Sequence, residues 1–241
     1  MSRRGSYGVD APGALIGLVA GAVIALIATV AAFAAGWWIA WLLLLCAAYS
    51  VASAACYAHT TSRGKFAVWS DELAKLRLDG AERVLDLGCG RGAVLTMAAG
   101  LVPRGRVTGI DLWRSVDQSG NAEEATRRNA EAEGVSGRVD LVTGDMRSLP
   151  FEDGSFDLLL SSLAVHNIPG GEGRERAITE AYRVLAPGGR LRVADFQHGE
   201  EYASVLRRLG AEDVTVRDLG WRFWYGGPWF GTRMVSARRP A

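Results

Sequence analysis

Little in this chain of 241 residues is suited to covalent cross-linking or metal binding. Its three cysteines cannot all pair with one another, and two of them, Cys46 and Cys56, sit inside an apolar run, so neither a disulfide framework nor a zinc site is written here. Charge of one sign is also lacking. The 27 Lys and Arg nearly balance 26 Asp and Glu for a net charge of +1, and no basic stripe with interleaved aromatics appears, so nucleic acid is not an expected partner. The largest absence is local. From Ala11 to Ala58 there is no charged side chain at all.

That run is too long for one membrane crossing. As a single helix it would reach about 72 Å at 1.5 Å per residue, whereas a bilayer core of about 30 Å needs roughly 20 residues. Splitting it near Ala35 to Trp38 yields two spans, 13–35 and 38–57, and a transmembrane helical hairpin is expected within an N-terminal anchor, residues 1–60. Gly13, Gly17 and Gly21 recur at intervals of four, which predicts a small-residue face on which the second span could pack closely. Trp37, Trp38 and Trp41 fall at the bend, where amphipathic rings favour the water–lipid boundary. Arg3 and Arg4 precede the spans and Arg63 and Lys65 follow them, so both ends are expected in the cytoplasm. An A-x-A site at Ala32 and Ala34 allows a signal-peptide reading, but the first apolar segment is long for one and a second follows at once.

The chemistry is written downstream, in VLDLGCGRG from Val84 to Gly92. Val84, Leu85 and Leu87 suit a buried parallel strand, while Gly88, Gly90 and Gly92 permit a sharp turn and close ligand approach before a helix near Ala93. Alone this pattern also fits a dinucleotide turn. A second strand, VTGIDL, ends in Asp111, about twenty residues past the turn, where a carboxylate can accept ribose hydroxyls. A third, VDLVTGD, ends in Asp145. Phe151 to Ser162 and Val184 to Phe196 supply two more, with Pro187, Gly188 and Gly189 as a turn between a helix and the fifth strand.

With these motifs the chain resembles the class I S-adenosylmethionine-dependent methyltransferases from about Phe66 to its C-terminus. The resemblance implies an α/β fold, a doubly wound, seven-stranded, mostly parallel sheet of Rossmann-like type, over residues 66–241, with S-adenosylmethionine as cofactor. It further implies that Asp86, Gly88, Gly90 and Gly92 hold the methionine end, with Asp86 near the amino group. Asp111 would bind the ribose and Leu112 flank the adenine; Asp145 would accept from the adenine amino group, Met146 would lie against the ring and Ser162 would border the methyl group. The stretch from Ser161 to Ile168 looks like the corresponding part of small-molecule methyltransferases, which often carry a histidine there.

Helical patterns at Phe66 to Gly80, Asn121 to Glu133, Arg174 to Leu185 and Glu200 to Leu209 alternate with the strands, and the first places Trp69, Leu73 and Leu76 on one face. Strands near Val214 to Leu219 and Thr232 to Arg238, joined as a hairpin, predict one antiparallel member. Methyl transfer asks the protein mainly to align the acceptor, exclude water and remove a proton. His166, just past the fourth strand, is the candidate base, the alternative being a residue that only caps a loop or lines the pocket, and Asn167 could orient the acceptor. His198 suits a solvent-facing loop and His59 an interfacial position, and Cys89 reads as a small turn residue. No set of metal ligands is expected, because the fourth strand ends in Ser161 and Ser162 rather than acids.

WRFWYGGPWFG, from Trp221 to Gly231, is dense in aromatics. Trp221, Trp224 and Trp229 could form a lid over the acceptor, touch the lipid interface, or pack on the sheet. Together with the anchor this points to a small lipophilic acceptor, to the lipid bilayer as a partner, and to an integral membrane protein whose enzymatic domain faces the cytoplasm. The rival readings are a nicotinamide-dependent oxidoreductase, which would share the glycine turn and Asp111 but would not require Asp145 with Met146, and a non-enzymatic membrane adaptor, which would be expected to lose the cofactor residues. Aminopropyl transfer lacks its acidic polyamine site after Ser162. Nothing in the sequence speaks to oligomeric state.

Overall fold

The computed structural model describes residues 3–241, so the first two residues of the expected anchor lie outside the described residues. Pro12 opens the first helix, α1 (Pro12–Ala34), at a position where the missing N–H costs nothing because no intrahelical partner exists there. The helix stops where Gly36 takes φ +72°. The Gly36 N–H then reaches the Phe33 carbonyl and the Trp37 N–H that of Ala32, a paired closure that needs a left-handed residue just past the helix. The second helix, α2 (Ala40–His59), runs back along α1 and passes through a π-helical turn, Thr60–Gly64, straight into α3 (Lys65–Lys75). Among the described residues, two helices are thus long and apolar enough to cross a membrane: Pro12–Ala34 and the apolar first part of the continuous stretch Ala40–Lys75. Trp37, Trp38 and Trp41 stand exposed at the bend.

The expected glycine seam does not form. A Cβ added to Gly13, Gly17 or Gly21 would meet nothing within 4 Å, so these glycines face away from α2. The buried positions are instead Ala22, Thr29 and Ala32 on α1 and Ala40, Ala47, Ser53 and Tyr57 on α2. The close approach still relies on small side chains, but alanine supplies them and the face is rotated.

The remainder alternates strand and helix: β1 (Arg83–Leu87), α4 (Ala93–Leu101), β2 (Arg106–Asp111), α5 (Glu123–Ala132), β3 (Val139–Thr143), β4 (Phe156–Ser162), α6 (Gly171–Val184), β5 (Leu185–Asp195), α7 (Gly199–Arg208), β6 (Glu212–Asp218) and β7 (Arg233–Arg238). The strands form one sheet in the order β3-β2-β1-β4-β5-β7-β6, parallel except for β7, which runs antiparallel to both β5 and β6. Alternate residues serve opposite faces: Leu85, Leu87 and Leu159 join the core under α6 and α7, while Val84, Leu158 and Leu160 join the one that receives α3 and α4. Trp69 and Leu73 of α3 and Leu76 at its C-cap are all at most 3% exposed, and each such burial is worth about 1.5–3 kcal/mol. The segment Pro187–Gly189 is not a separate turn. It lies inside β5, where the pairing with β4 skips from Phe156–Leu185 to Leu158–Arg190, and Gly188 and Gly189 bond to residues 239 and 240 beyond β7.

Sheet order reverses between β1 and β4, and the crevice at the carboxyl ends of these two strands is where ligands bind in such sheets. Ser161 locks the pair by donating from Oγ to the Leu87 carbonyl at 2.9 Å.

Candidate active site

At that crevice lies a cavity of about 820 Å³. Its walls include Asp86, Gly88, Gly90, Asp111, Leu112, Asp145, Met146, Ser162, His166 and Asn167, so the structure brings together every residue singled out for cofactor binding and for catalysis except Gly92. Gly92 sits behind the turn as the left-handed cap of α4, where a Cβ would come within 2.9 Å of Thr126. Gly88 has the tighter constraint: φ is +67° and a Cβ would lie 2.2 Å from that of Ala164, so any side chain would close the gap between the β1 and β4 loops.

The three strand-tip carboxylates are in different electrostatic states. Asp86, 1% exposed on the Val84 face of β1, is pushed up to about 8, first by burial and then by the nearby Asp111 charge. Its Oδ2 is buried without a hydrogen-bond partner. Asp111 is nearly saturated: Oδ2 accepts from the Gly90 N–H at 2.8 Å, and Oδ1 from the Trp113 N–H at 2.6 Å and Asn121 Nδ2 at 3.2 Å. Of roughly four lone pairs one remains, so gripping both ribose hydroxyls would require Gly90 or Asn121 to let go. Asp145 is held low by its hydrogen bonds from Arg147, whose Nη2 lies 2.5 Å from Oδ2. Burial beside Asp86 and Asp111 pushes the Cys89 thiol up, which keeps it an inert turn residue.

On the acceptor side, His166 sits in a short helical turn, Val165–Asn167, with its ring edge-on to Phe196 at 4.5 Å. Its Nδ1 is 2.7 Å from Asp195 Oδ1, within ion-pair distance though off the straight line of an N–H···O bond. Asp195 also accepts from the His166 and Phe196 backbone N–H groups at 3.0 and 2.9 Å and from the Tyr202 hydroxyl at 3.3 Å, so it fixes where the imidazole stands. Asn167 is exposed at the rim. Ser162 Oγ accepts from Trp69 Nε1 at 2.9 Å, so a helix that follows the apolar hairpin also positions a residue of the cavity wall. His198 pairs with Glu201 at 3.2 Å, away from the cavity, and His59 stacks on Trp221.

Three features were not anticipated. Asp195 ends β5 just as Asp111 ends β2, and the same strand-end signal would have found it. Asp10, which carries no motif of its own just before the apolar run, has a carboxylate that receives Lys65 Nζ at 2.7 Å on both oxygens, with further bonds from Tyr225, Thr61 and Gln118. Lys65 is 4% exposed and is therefore consumed in this pair rather than free as a flanking charge. The third concerns the aromatic segment. Trp221, Trp224 and Trp229 do not line the cavity; Tyr225, Gly226 and Phe230 do. Two of the rings face α2, Trp221 on His59 and Trp229 edge-on to Tyr49 at 6.4 Å, while Trp224 meets the turn after α2 through its carbonyl, which accepts from Thr60 Oγ1 at 2.6 Å.

Residues 85–193 match the methyltransferase domain family. That stretch is a methyltransferase domain of the class I, S-adenosylmethionine-dependent type. The ubiquinone/menaquinone biosynthesis C-methyltransferase of Dinoroseobacter shibae is 35% identical over 136 residues, 56% of this chain and 51% of that protein. The chain thus spans about half the length of the curated relatives it matches. The crystal structure of the (4+2)-cyclase SpnF superposes with TM-score 0.58 at 24% identity, over 71% of this chain and 80% of that one. An S-adenosylmethionine-dependent methyltransferase from Aquifex aeolicus superposes with TM-score 0.56 at 18% identity, over 70% and 88%. These two likenesses concern the fold. Within the methyltransferase domain, a buried, unpartnered carboxylate oxygen on Asp86 beside a turn open enough for backbone contact fits the amino-acid end of the cofactor.

Proposed function

We propose that this protein is a membrane-anchored methyltransferase that moves the methyl group of S-adenosylmethionine to a small lipophilic acceptor, a quinol ring bearing an apolar chain. One observation carries this reading. The cavity that holds the three carboxylates extends without interruption to Ala14, Leu18, Tyr49 and Ser53, at the base of the two apolar helices. The name of the Dinoroseobacter relative supports a quinone ring as acceptor and carbon as the methylated atom. Residues 1–60 then serve as the anchor and 66–241 as the methyltransferase domain, joined by continuous helix rather than a linker. Exposed Arg3, Arg4 and Arg63 at the hairpin's open end favour the cytoplasmic side for that end and for the domain attached to it.

The cofactor supplies a sulfonium methyl, whose C–S electron pair stays with sulfur as the new bond forms. The chain does the rest. Asp86 would meet the amino group, the Gly88 and Gly90 backbone would hold the methionine end, Asp111 would offer its remaining lone pair to the ribose, and Leu112 and Met146 would flank the base. Asp145 takes four contacts from Arg147, two on each oxygen, so it would accept from the adenine amino group only where Arg147 gives up one of them. Ser162, oriented by Trp69, borders the transferred methyl, Asn167 orients the acceptor, and His166 takes the proton that the acceptor loses.

His166→Ala is expected to lower kcat by about a hundredfold while leaving the cofactor Kd within about twofold. Asp195 acts as a positioning residue through the imidazole. Asp195→Asn should give a smaller kcat loss at unchanged cofactor Kd, whereas a purely structural Asp195 would lower Tm and leave the folded fraction fully active. The reading as a whole is tested by incubating the full chain in bilayers with methyl-labelled cofactor and host lipid extract. Label should enter an organic-phase quinol; label confined to water-soluble products, or none transferred, would sink it.

A further inference from the structure

The cavity is chemically lopsided. Its inner end carries Asp86, Asp111, Asp117, Asp145 and His166, while its outer end is bounded by Ala14, Leu18, Tyr49, Gly226 and Phe230. A polar head and an apolar chain would match those two ends in one orientation. The volume of about 820 Å³ also lies near the top of the roughly 300–1,000 Å³ range for a single small-molecule pocket, leaving room for cofactor and acceptor together.

The outer end does not open where a soluble metabolite would enter. The aqueous mouth above the glycine turn is crossed by the N-terminal segment. Val9 N bonds to Ser119 Oγ at 2.8 Å, Gln118 Nε2 to the Tyr7 carbonyl at 3.1 Å, and Asp10 to Lys65 at 2.7 Å. Leu112, Val116 and Asn167 are exposed cavity wall near the carboxylates, and Ala14, Tyr49 and Phe230 are likewise exposed while forming cavity wall at the hairpin base, which marks a second opening at their level. Along the helices, at 1.5 Å per residue, Leu18 lies about 9 Å from the start of α1 and Tyr49 about 15 Å from the end of α2. Both positions fall within the nearer half of a bilayer core about 30 Å thick. Gly226 lets the domain's aromatic segment close on the hairpin and form this rim, since a Cβ there would stand 2.8 Å from Ser53 Oγ. Trp229, 77% exposed and resting on Tyr49, extends the aromatic rim outward at the same level.

We infer that the opening between α1, α2 and residues 226–230 is a lateral portal through which the acceptor enters from the lipid. Its apolar chain stays between Leu18, Tyr49 and Phe230 while its ring reaches His166. This rests on the proposed membrane-anchored acceptor chemistry and adds the route and the seat of the chain. Chain length beyond the portal is unconstrained, because the rest lies in lipid.

The test uses the full chain in nanodiscs with a 1,4-naphthoquinol whose prenyl chain carries a diazirine. Irradiation should label Leu18, Tyr49 and Phe230, and excess unlabelled prenylated naphthoquinol should remove that label. Label on the outward residues Val19 and Ile27 alone, or label at the portal that does not compete, overturns the inference. Ala14→Trp, at an exposed position that tolerates bulk, and Leu18→Trp narrow the mouth. Each should lower transfer to the prenylated naphthoquinol by roughly tenfold and leave transfer to its tail-less counterpart within about twofold, with cofactor Kd unchanged. Equal loss on both acceptors, or no loss on either, counts against the portal. If neither naphthoquinol is methylated by the parent protein, the acceptor class fails, and competed labelling at the portal still upholds the route.

Discussion

Asp10→Ala is expected to lower stability by about 3–5 kcal/mol, because it leaves the Lys65 ammonium buried without its counter-charge. The Lys65 side chain is 5% exposed and that of Asp10 is 15% exposed, and both carboxylate oxygens are 2.7 Å from Nζ, so solvent cannot replace the lost partner without opening the structure. Further bonds fail with it: Tyr225 donates to Oδ2 at 2.7 Å, Thr61 to Oδ2 at 3.0 Å and Gln118 to Oδ1 at 3.1 Å. These donors come from the aromatic segment, the helical turn after α2, and the loop over the glycine turn. The carboxylate therefore ties the N-terminal segment, the hairpin base and the cofactor loop to one another. Thermal unfolding in detergent should show a fall on the order of 10 °C, since each kcal/mol moves Tm by about 2–4 °C in a chain of this size. Removing the charge pair together, as Asp10→Asn with Lys65→Met, should recover most of the loss. A single-variant effect below about 1 kcal/mol would show that the pair is solvated in solution and that the tie does not exist.

Asp86→Asn should have opposite effects on stability and on cofactor binding. In the folded protein without cofactor the carboxyl is pushed up to about 8 from an ordinary 3.8, so the native state holds a proton that the unfolded chain has released. Stability from this group is complete below the unfolded value and is lost as pH rises through the folded one, at up to about 1.4 kcal/mol per pH unit in the window from about 4 to 8. The asparagine variant has no such proton. Its stability relative to the parent should therefore increase steadily across that window, and a flat difference curve would refute the buried neutral carboxyl. Cofactor binding should fall by about a hundredfold, the loss of a charge-assisted bond of roughly 2–3 kcal/mol. Because an approaching ammonium favours the ionised carboxylate, binding by the parent at pH 7 should expel close to one proton. Calorimetry in buffers of different ionisation enthalpy reads that proton directly; the variant should expel none.

The parts of the site that sequence made legible are those written in adjacent residues. An apolar run closing on an acid and glycines, as at Leu85 to Gly92 or Val107 to Asp111, identifies strand, turn and ligand-facing carboxylate together, because all three depend on the same short stretch of backbone. The bend of the hairpin was equally local, since Gly36 alone supplies the left-handed residue that ends α1. What stayed hidden depends on partners far along the chain. Nothing near Asp10 or Lys65 announces a pair 55 residues apart, and Lys65 therefore looked like a free flanking charge. The rotation of α1 about its axis is set by what α2 presents, so the spacing of Gly13, Gly17 and Gly21 could suggest a seam without deciding it. The aromatic segment was correctly marked by its composition, yet which rings face the cavity depends on where α2 stands.

By itself, then, the amino-acid order determined the doubly wound sheet, its one antiparallel strand, the methyl-donor motifs and two helices of spanning length. Each follows from periodicity and backbone preference acting over a few residues. Only the tertiary structure decided that the donor pocket and the apolar hairpin share a single cavity, and that Asp195 stands behind His166. It also decided that an N-terminal carboxylate closes the far wall. Those facts require groups remote in the chain to be desolvated together, and the free energy of that joint burial is absent from any local pattern.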